Sequence, residues 1–346
     1  MQDRIQGKLS NYGFTGLDAS QLGAVKSVAD YYQMPLSATK IYGCTGLAFL
    51  TVMDEDCVQP NAGPPEPELF RLVGNLGIHI EGIHQYAEGD AFKKLQADAW
   101  ETAKSSIDAG RPVFAKNAAQ SNQTSVITAY DETGYSIDSW HTGSDNWDEV
   151  IPWNKLGLSR CPCINCVNDR EMLGAGEETS GLISLHWASP VSAMDNRSAV
   201  LAGLRYALEL VDRGAYEEFG RRYYVGPSAL AHWIDAARND RVSKFSFALI
   251  IEVLYEARHH AGLFLTEIRQ DLSLSRPVLD QAIDTYGHIA AKVKELKERF
   301  PYEQPREPFN EEERDGVVSA LTDLLALEKQ AIACLREIDT VLQENG

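Results

Sequence analysis

The sequence predicts an α+β protein in two parts, a mixed domain over residues 1–188 followed by an all-α helical bundle over residues 189–346. Three observations carry this. Between Gly110 and Trp140, three short apolar or β-branched runs follow one another across polar turns, the pattern of consecutive strands. After Ala188-Ser189-Pro190 the glycine and proline punctuation thins, and apolar residues recur every three or four positions. The length of 346 residues accommodates two domains of ordinary size.

The elements of the first part are predicted as follows. Asp18 or Ser20 caps a helix through Gln21, Val25, Val28 and Tyr32. Pro35-Leu36-Ser37 turns the chain into a short helical stretch that ends in Tyr42-Gly43-Cys44-Thr45-Gly46-Leu47-Ala48-Phe49. A proline-rich loop carries Cys57, a helix over 68–74 ends on a glycine, and Leu76, Ile78 and Ile80 alternate as an edge strand. A helix over 92–109 then leads into the strands 111–116, 125–130 and 135–140. Asp131-Glu132-Thr133-Gly134 turns between the last two. Gly181 to Trp187 closes the domain as a strand.

In the second part, a helix starts at Ser192 or Asp195 and runs to Arg213, and Gly214 to Tyr224 continues as a second helical segment. Gly226-Pro227-Ser228 caps a third helix, through Ala237. The stretch Phe245–Ile268 is apolar on more than one face, as a central bundle helix should be. Two further helices follow, one opened by Pro277 and one over 311–343.

The order of helix, strand, loop, strand, tight turn and strand, with Gly110-Arg111-Pro112-Val113 at its opening, resembles the papain-like cysteine peptidase superfamily. Within it, the chain is similar to the N-terminal domain of the butirosin biosynthesis protein H family, an acyltransferase group. The segment Gly43-Cys44-Thr45-Gly46-Leu47-Ala48-Phe49 belongs to the same resemblance. So do Glu256-Ala257-Arg258, Phe264-Leu265, Ala282 with Tyr286, and Leu327-Glu328 with Ala331.

The resemblance implies a nucleophilic cysteine at the start of the first helix, a histidine opening the second strand and a carboxylate on the third. Asp138 supplies the carboxylate. The nucleophile slot near Thr15 to Ser20 holds no cysteine, and Ser20 reads as a cap rather than a nucleophile. The histidine slot falls on Gln123, Thr124 or Ser125, none of which accepts a proton near neutral pH. Cys44 is the one cysteine with nucleophile-like surroundings, and its other reading is a small buried thiol in a packed turn. His79 and His84 qualify as bases only where the fold brings them to Cys44.

The functional expectation is therefore a papain-like protein, non-catalytic or divergent, that binds a small molecule or peptide in an N-terminal cleft. The alternative is a cysteine-dependent acyltransferase or amide-bond enzyme of secondary metabolism that uses Cys44 with Asp138. The resemblance runs the cleft between Tyr42–Phe49 and the end of the third strand, so Tyr42, Thr45, Arg111 and Trp140 are the candidate ligand contacts. Asp138 and the acidic balance favour an amine-bearing ligand.

Cys161-Pro162-Cys163-Ile164-Asn165-Cys166 places three thiols within six residues. Thiolates at this spacing suit zinc or an iron–sulfur cluster, with Cys57 or His141 as a fourth ligand; the other reading is three free thiols in an insertion. No other cofactor is expected. Glu256 and His259 have a ligand-pair spacing, but they read as a polar helix face.

A net charge of −18 argues against nucleic acid as a partner, since phosphate binding needs a positive surface. No apolar run reaches the length of a membrane span, and the N-terminus lacks a signal-peptide core, so a cytoplasmic protein with reduced thiols is expected.

Overall fold

The computed structural model describes residues 5–57, 65–118, 123–140, 150–158, 180–218, 220–271, 277–302 and 307–344. In chain order the elements begin with β1 (Gly7–Lys8), α1 (Ser20–Tyr31), α2 (Ala38–Cys44), β2 (Val52–Asp54) and α3 (Glu66–Gly74). Then come β3 (Ile78–Glu88), α4 (Gly89–Asp108), β4 (Val113–Lys116), β5 (Thr124–Tyr130), β6 (Gly134–Asp138), β7 (Val150–Pro152) and β8 (Ser180–Pro190). The last group is α5 (Asn196–Arg213), β9 (Ala215–Glu218), β10 (Arg221–Val225), α6 (Pro227–Arg238), α7 (Lys244–Asp271), α8 (Pro277–Arg299) and α9 (Glu311–Glu344). The protein is α+β, with antiparallel sheets.

The chain forms two compact units, and both are discontinuous. The first comprises Met1–Leu36 and Gly77–Ala193; the second comprises Ser37–Leu76 and Met194–Gly346. One seam, Ala193/Met194, falls close to the boundary read from the sequence near Ala188. The inclusion of Ser37–Leu76 in the second unit has no counterpart in that reading.

The first unit is built on a seven-stranded sheet of order β3-β8-β4-β5-β6-β7, with β1 added to the far end of β5. The edge strand expected around Leu76–Ile80 is present and longer than alternation alone suggested. It pairs with β8 without a register break from Ile78↔Pro190 to Glu88↔Ser180. Helix α4 packs on the face that carries Ile183, where Phe92 lies against Gly157 and Gly181. Gln96, buried on the same helix, donates to the carbonyls of Asn154 and Leu156, at 2.8 and 2.9 Å. The β5–β6 turn is fixed by Asp131, whose Oδ1 accepts from the Thr133 and Gly134 amides, a side chain mimicking a backbone turn.

The second unit is not all-helical. A three-stranded sheet of order β2-β10-β9 lies in it, and Gly214 to Tyr224, expected to be helical, forms most of the β9–β10 hairpin. The physical cause is local. Gly214, at φ 69°, ends α5 in the left-handed region, which favours glycine. Across the hairpin Glu217 faces Arg222 and Glu218 faces Arg221, while the Tyr216 and Tyr223 rings stack with centroids 5.0 Å apart. Opposite charges and aromatic rings facing each other across the strands favour such a hairpin, and Arg221 also pairs with Asp56 at 2.5 Å.

The helices of this unit close over a core that includes Phe49, Phe247, Phe264 and Tyr286. Its centre is charged. Arg258 is fully buried and pairs with the carboxylate of Glu328. Its guanidinium also donates to the carbonyls of Ala48 and Leu50, at 2.8 and 3.1 Å, and to the Thr51 hydroxyl. A buried cation with several acceptors is tolerated because its donors are met. Among the described residues, no helix is long and apolar enough to cross a membrane.

Candidate functional site

In the first unit the residues of interest gather where α1 begins. Helix α1 starts at Ser20 with Ala19 as its cap residue, so Ser20 is not the cap the sequence suggested. Its Oγ instead accepts the backbone N–H of Thr124, the first residue of β5, at 3.0 Å. Thr124 and Ser125 are buried, and Gln123 just before them is half-buried. The three residues of the expected histidine slot thus stand at the opening of β5, beside the first residue of α1.

Asp138 ends β6, and its Oδ2 accepts the Phe14 amide at 2.9 Å. The backbone approaches so closely that a Cβ on Gly13 would lie 3.1 Å from that oxygen. The carboxylate is half-buried, and no donor among the described residues meets its second oxygen. Two residues on, the Trp140 indole N–H donates to the Leu17 carbonyl at 2.9 Å, and its ring meets Phe14 edge-on with centroids 6.0 Å apart. Although tethered at both places, Trp140 remains 46% exposed. The end of β6 therefore presents a carboxylate oxygen and a fixed aromatic surface together. Arg111 is half-buried: its guanidinium donates to Ser106 Oγ at 3.2 Å and lies over the Trp187 ring.

The other expected contacts belong to the second unit. Tyr42 and Cys44 lie on α2, and all of Tyr42, Cys44 and Thr45 are buried. The glycines around them serve helix packing: a Cβ on Gly43 would lie 2.2 Å from the Phe264 ring, and one on Gly203 would lie 2.3 Å from the Cys44 carbonyl. Thr45 Oγ1 donates to the Ile41 carbonyl at 2.7 Å. Burial pushes the Cys44 thiol up to about 12, with Lys40 opposing the rise and Glu267 adding to it. As placed, Cys44 is a packed, protonated thiol at neutral pH.

Tyr42 donates to Glu256 and stacks on the His260 ring at 4.6 Å, and Thr39 Oγ1 lies 3.0 Å from His260 Nδ1. Burial, followed by the neighbouring His259, lowers His260 to about 4, so it is neutral at pH 7. Cys57 is buried in a left-handed turn at φ 56°, and burial pushes its thiol up to about 12 as well. The candidate metal residues Cys161, Cys163 and Cys166, with His141, lie outside the described residues.

No protein-family model matches the chain, and a search of curated proteins finds no match either.

Proposed function

We propose that the chain is a non-catalytic papain-like protein that binds a small amine-bearing molecule, or the amino group of a peptide, at the α1 end of its first unit. One observation carries this reading. The Ser20 hydroxyl and the Asp138 carboxylate, which occupy the slots the resemblance assigns to nucleophile and orienting group, both accept backbone amides. A hydroxyl and a carboxylate used in this way hold the loop and the strand in place. Proton relay would instead require an imidazole between them.

The binding chemistry comes from what remains available. The second oxygen of Asp138 can accept an ammonium hydrogen bond, and the exposed Trp140 face attracts a cation through its ring quadrupole. An amine-bearing ligand satisfies both. The alternative, a cysteine-dependent acyltransferase, requires a thiolate, and burial holds Cys44 protonated.

Titration with short peptides and small primary amines, followed by tryptophan fluorescence, tests the reading. Asp138→Asn is expected to weaken binding roughly tenfold or more, and Trp140→Phe to remove most of the fluorescence response. Binding that is indifferent to both substitutions, or turnover of an acyl substrate abolished by Cys44→Ala, would refute it.

A further inference from the structure

The face of the first-unit sheet turned away from α4 carries a sheltered polar row that the binding reading does not use. Because β3 and β8 pair in continuous register, His84 lies opposite Ser184 and Gly82 opposite His186. Side chains alternate along a strand, so His84, Ser184 and His186 share one face, opposite the one carrying Ile183. The two histidines are a diagonal cross-strand pair, with ring centroids 6.3 Å apart and ligating nitrogens within 4.8 Å of each other. Ser184 Oγ lies 3.1 Å from His186 Nε2, and Ser184 is fully buried.

The placement of the rings is built in. Phe114, across from His186 on β4, holds that imidazole with centroids 5.5 Å apart. On the other side the strand opposite carries glycine, and a Cβ on Gly82 would lie only 2.1 Å from His186 Nδ1. Any other residue at position 82 would displace the ring. His186 is 5% exposed and His84 half-buried, so the pair is sheltered yet not sealed. Two imidazoles held side by side in a sheet, at the cost of a weak glycine in a strand, are an unusual expenditure for packing alone.

We propose that His84 and His186 form a binding site for a divalent transition-metal ion of the zinc type, with the Ser184 hydroxyl and water as further oxygen partners. Imidazole nitrogens suit zinc, nickel and copper. Two nitrogens bound at about 2.0–2.1 Å in a tetrahedral site stand roughly 3.4 Å apart, within reach of a small rotation of either ring. Ligation requires both rings neutral, so binding weakens as the pH falls and protons compete for the nitrogens. Its ligands are nitrogen and oxygen, whereas Cys161, Cys163 and Cys166 would offer sulfur.

Cobalt(II) is the probe, because its visible spectrum separates nitrogen and oxygen ligands from thiolates. The chelator-treated full-length protein and a full-length Cys161→Ser/Cys163→Ser/Cys166→Ser variant are titrated with Co(II), then with Zn(II) in competition. One equivalent bound in the triple variant, with tetrahedral bands and no thiolate charge-transfer band, is the expected result. His84→Gln and His186→Gln should each weaken it by more than the roughly 10–100-fold that losing an outer partner of a metal site costs. Loss of all binding in the triple variant, or binding unchanged by His84→Gln, would overturn the proposal. Should the buried His186 variant fail to fold, paramagnetic broadening in the unsubstituted protein decides: imidazole signals of His84 and His186 must broaden first, and broadening confined to other histidines overturns the site.

Discussion

The Ser20 hydroxyl accepts the backbone N–H of Thr124 at 3.0 Å, which ties the first residue of a helix to the first residue of a strand more than a hundred positions later. The amide it satisfies belongs to a buried residue. Ser20→Ala leaves that amide unpaired and should lower stability by about 1–3 kcal/mol. Urea denaturation reads this as a lower midpoint at unchanged slope. A variant of full stability that loses ligand binding would instead assign the hydroxyl to the ligand.

The Arg258–Glu328 pair should behave as a buried charge network. Glu328→Gln or Arg258→Met alone leaves a buried partner uncompensated, and the expected loss is roughly 3–5 kcal/mol. The double change Arg258→Met/Glu328→Leu should recover only part of it, because neither charge then remains but the Ala48 and Leu50 carbonyls and the Thr51 hydroxyl lose their donor. Equilibrium unfolding of the three variants checks the non-additivity. Single variants that cost no more than a surface pair would show that water reaches the site.

Alkaline pH should destabilise the fold through its buried thiols. Cys44 and Cys57 are both raised to about 12 by burial, while in the unfolded chain they titrate near their ordinary value of 9.0. Between those values the unfolded state releases protons that the folded state retains. The stabilisation is complete below pH 9 and is lost as pH rises towards 12. Melting temperatures recorded across this range should fall less steeply for Cys44→Ala than for the unsubstituted protein, compared at matched ionic strength. The same burial predicts that Cys44 resists iodoacetamide at pH 7 until urea is added.

His260 has the opposite sign. Burial and His259 lower it from 6.5 to about 4, so between those values the unfolded chain takes up a proton and the folded chain does not. Stability should therefore decline as pH falls from 6.5 towards 4. The His260→Gln variant should show a shallower decline over that window. An NMR titration that places the His260 midpoint near 6.5 would contradict the burial argument.

Much of the α+β pattern was legible because local signals and burial agree. Ser37 caps α2 through the Lys40 amide, Asp195 caps α5 through that of Ser198, and Pro227 and Pro277 each open a helix as read. The β9–β10 hairpin was missed because an apolar and charged run can be drawn on either period. The alternation of Glu217-Glu218 with Arg221-Arg222 around Gly220 was the available clue.

The site was less legible. Asp138 and Trp140 were singled out by the family resemblance, and both lie at the end of β6. Cys44 was singled out for its flanking glycines, whose purpose is the close approach of Phe264 and of α5. Several residues that carried the family resemblance, Arg258, Phe264, Tyr286 and Glu328, are core residues of the second unit. His84 and His186 lie about a hundred residues apart in sequence, and only the β3–β8 register makes them neighbours.

The discontinuity of the two units governs how a nascent chain can mature. Ser37–Leu76 leaves the ribosome long before the helices it packs with, since α2 needs Gly203 on α5 and Phe264 on α7. Until Tyr286 and Glu328 have been synthesised, Tyr42, Phe49 and Leu50, all buried at completion, have no finished core to enter. The intervening Gly77–Ala193 must meanwhile assemble its sheet around a gap in the sequence. Translation pauses and chaperone supply will therefore act most strongly on the yield of the second unit, whose first portion waits longest for its partners.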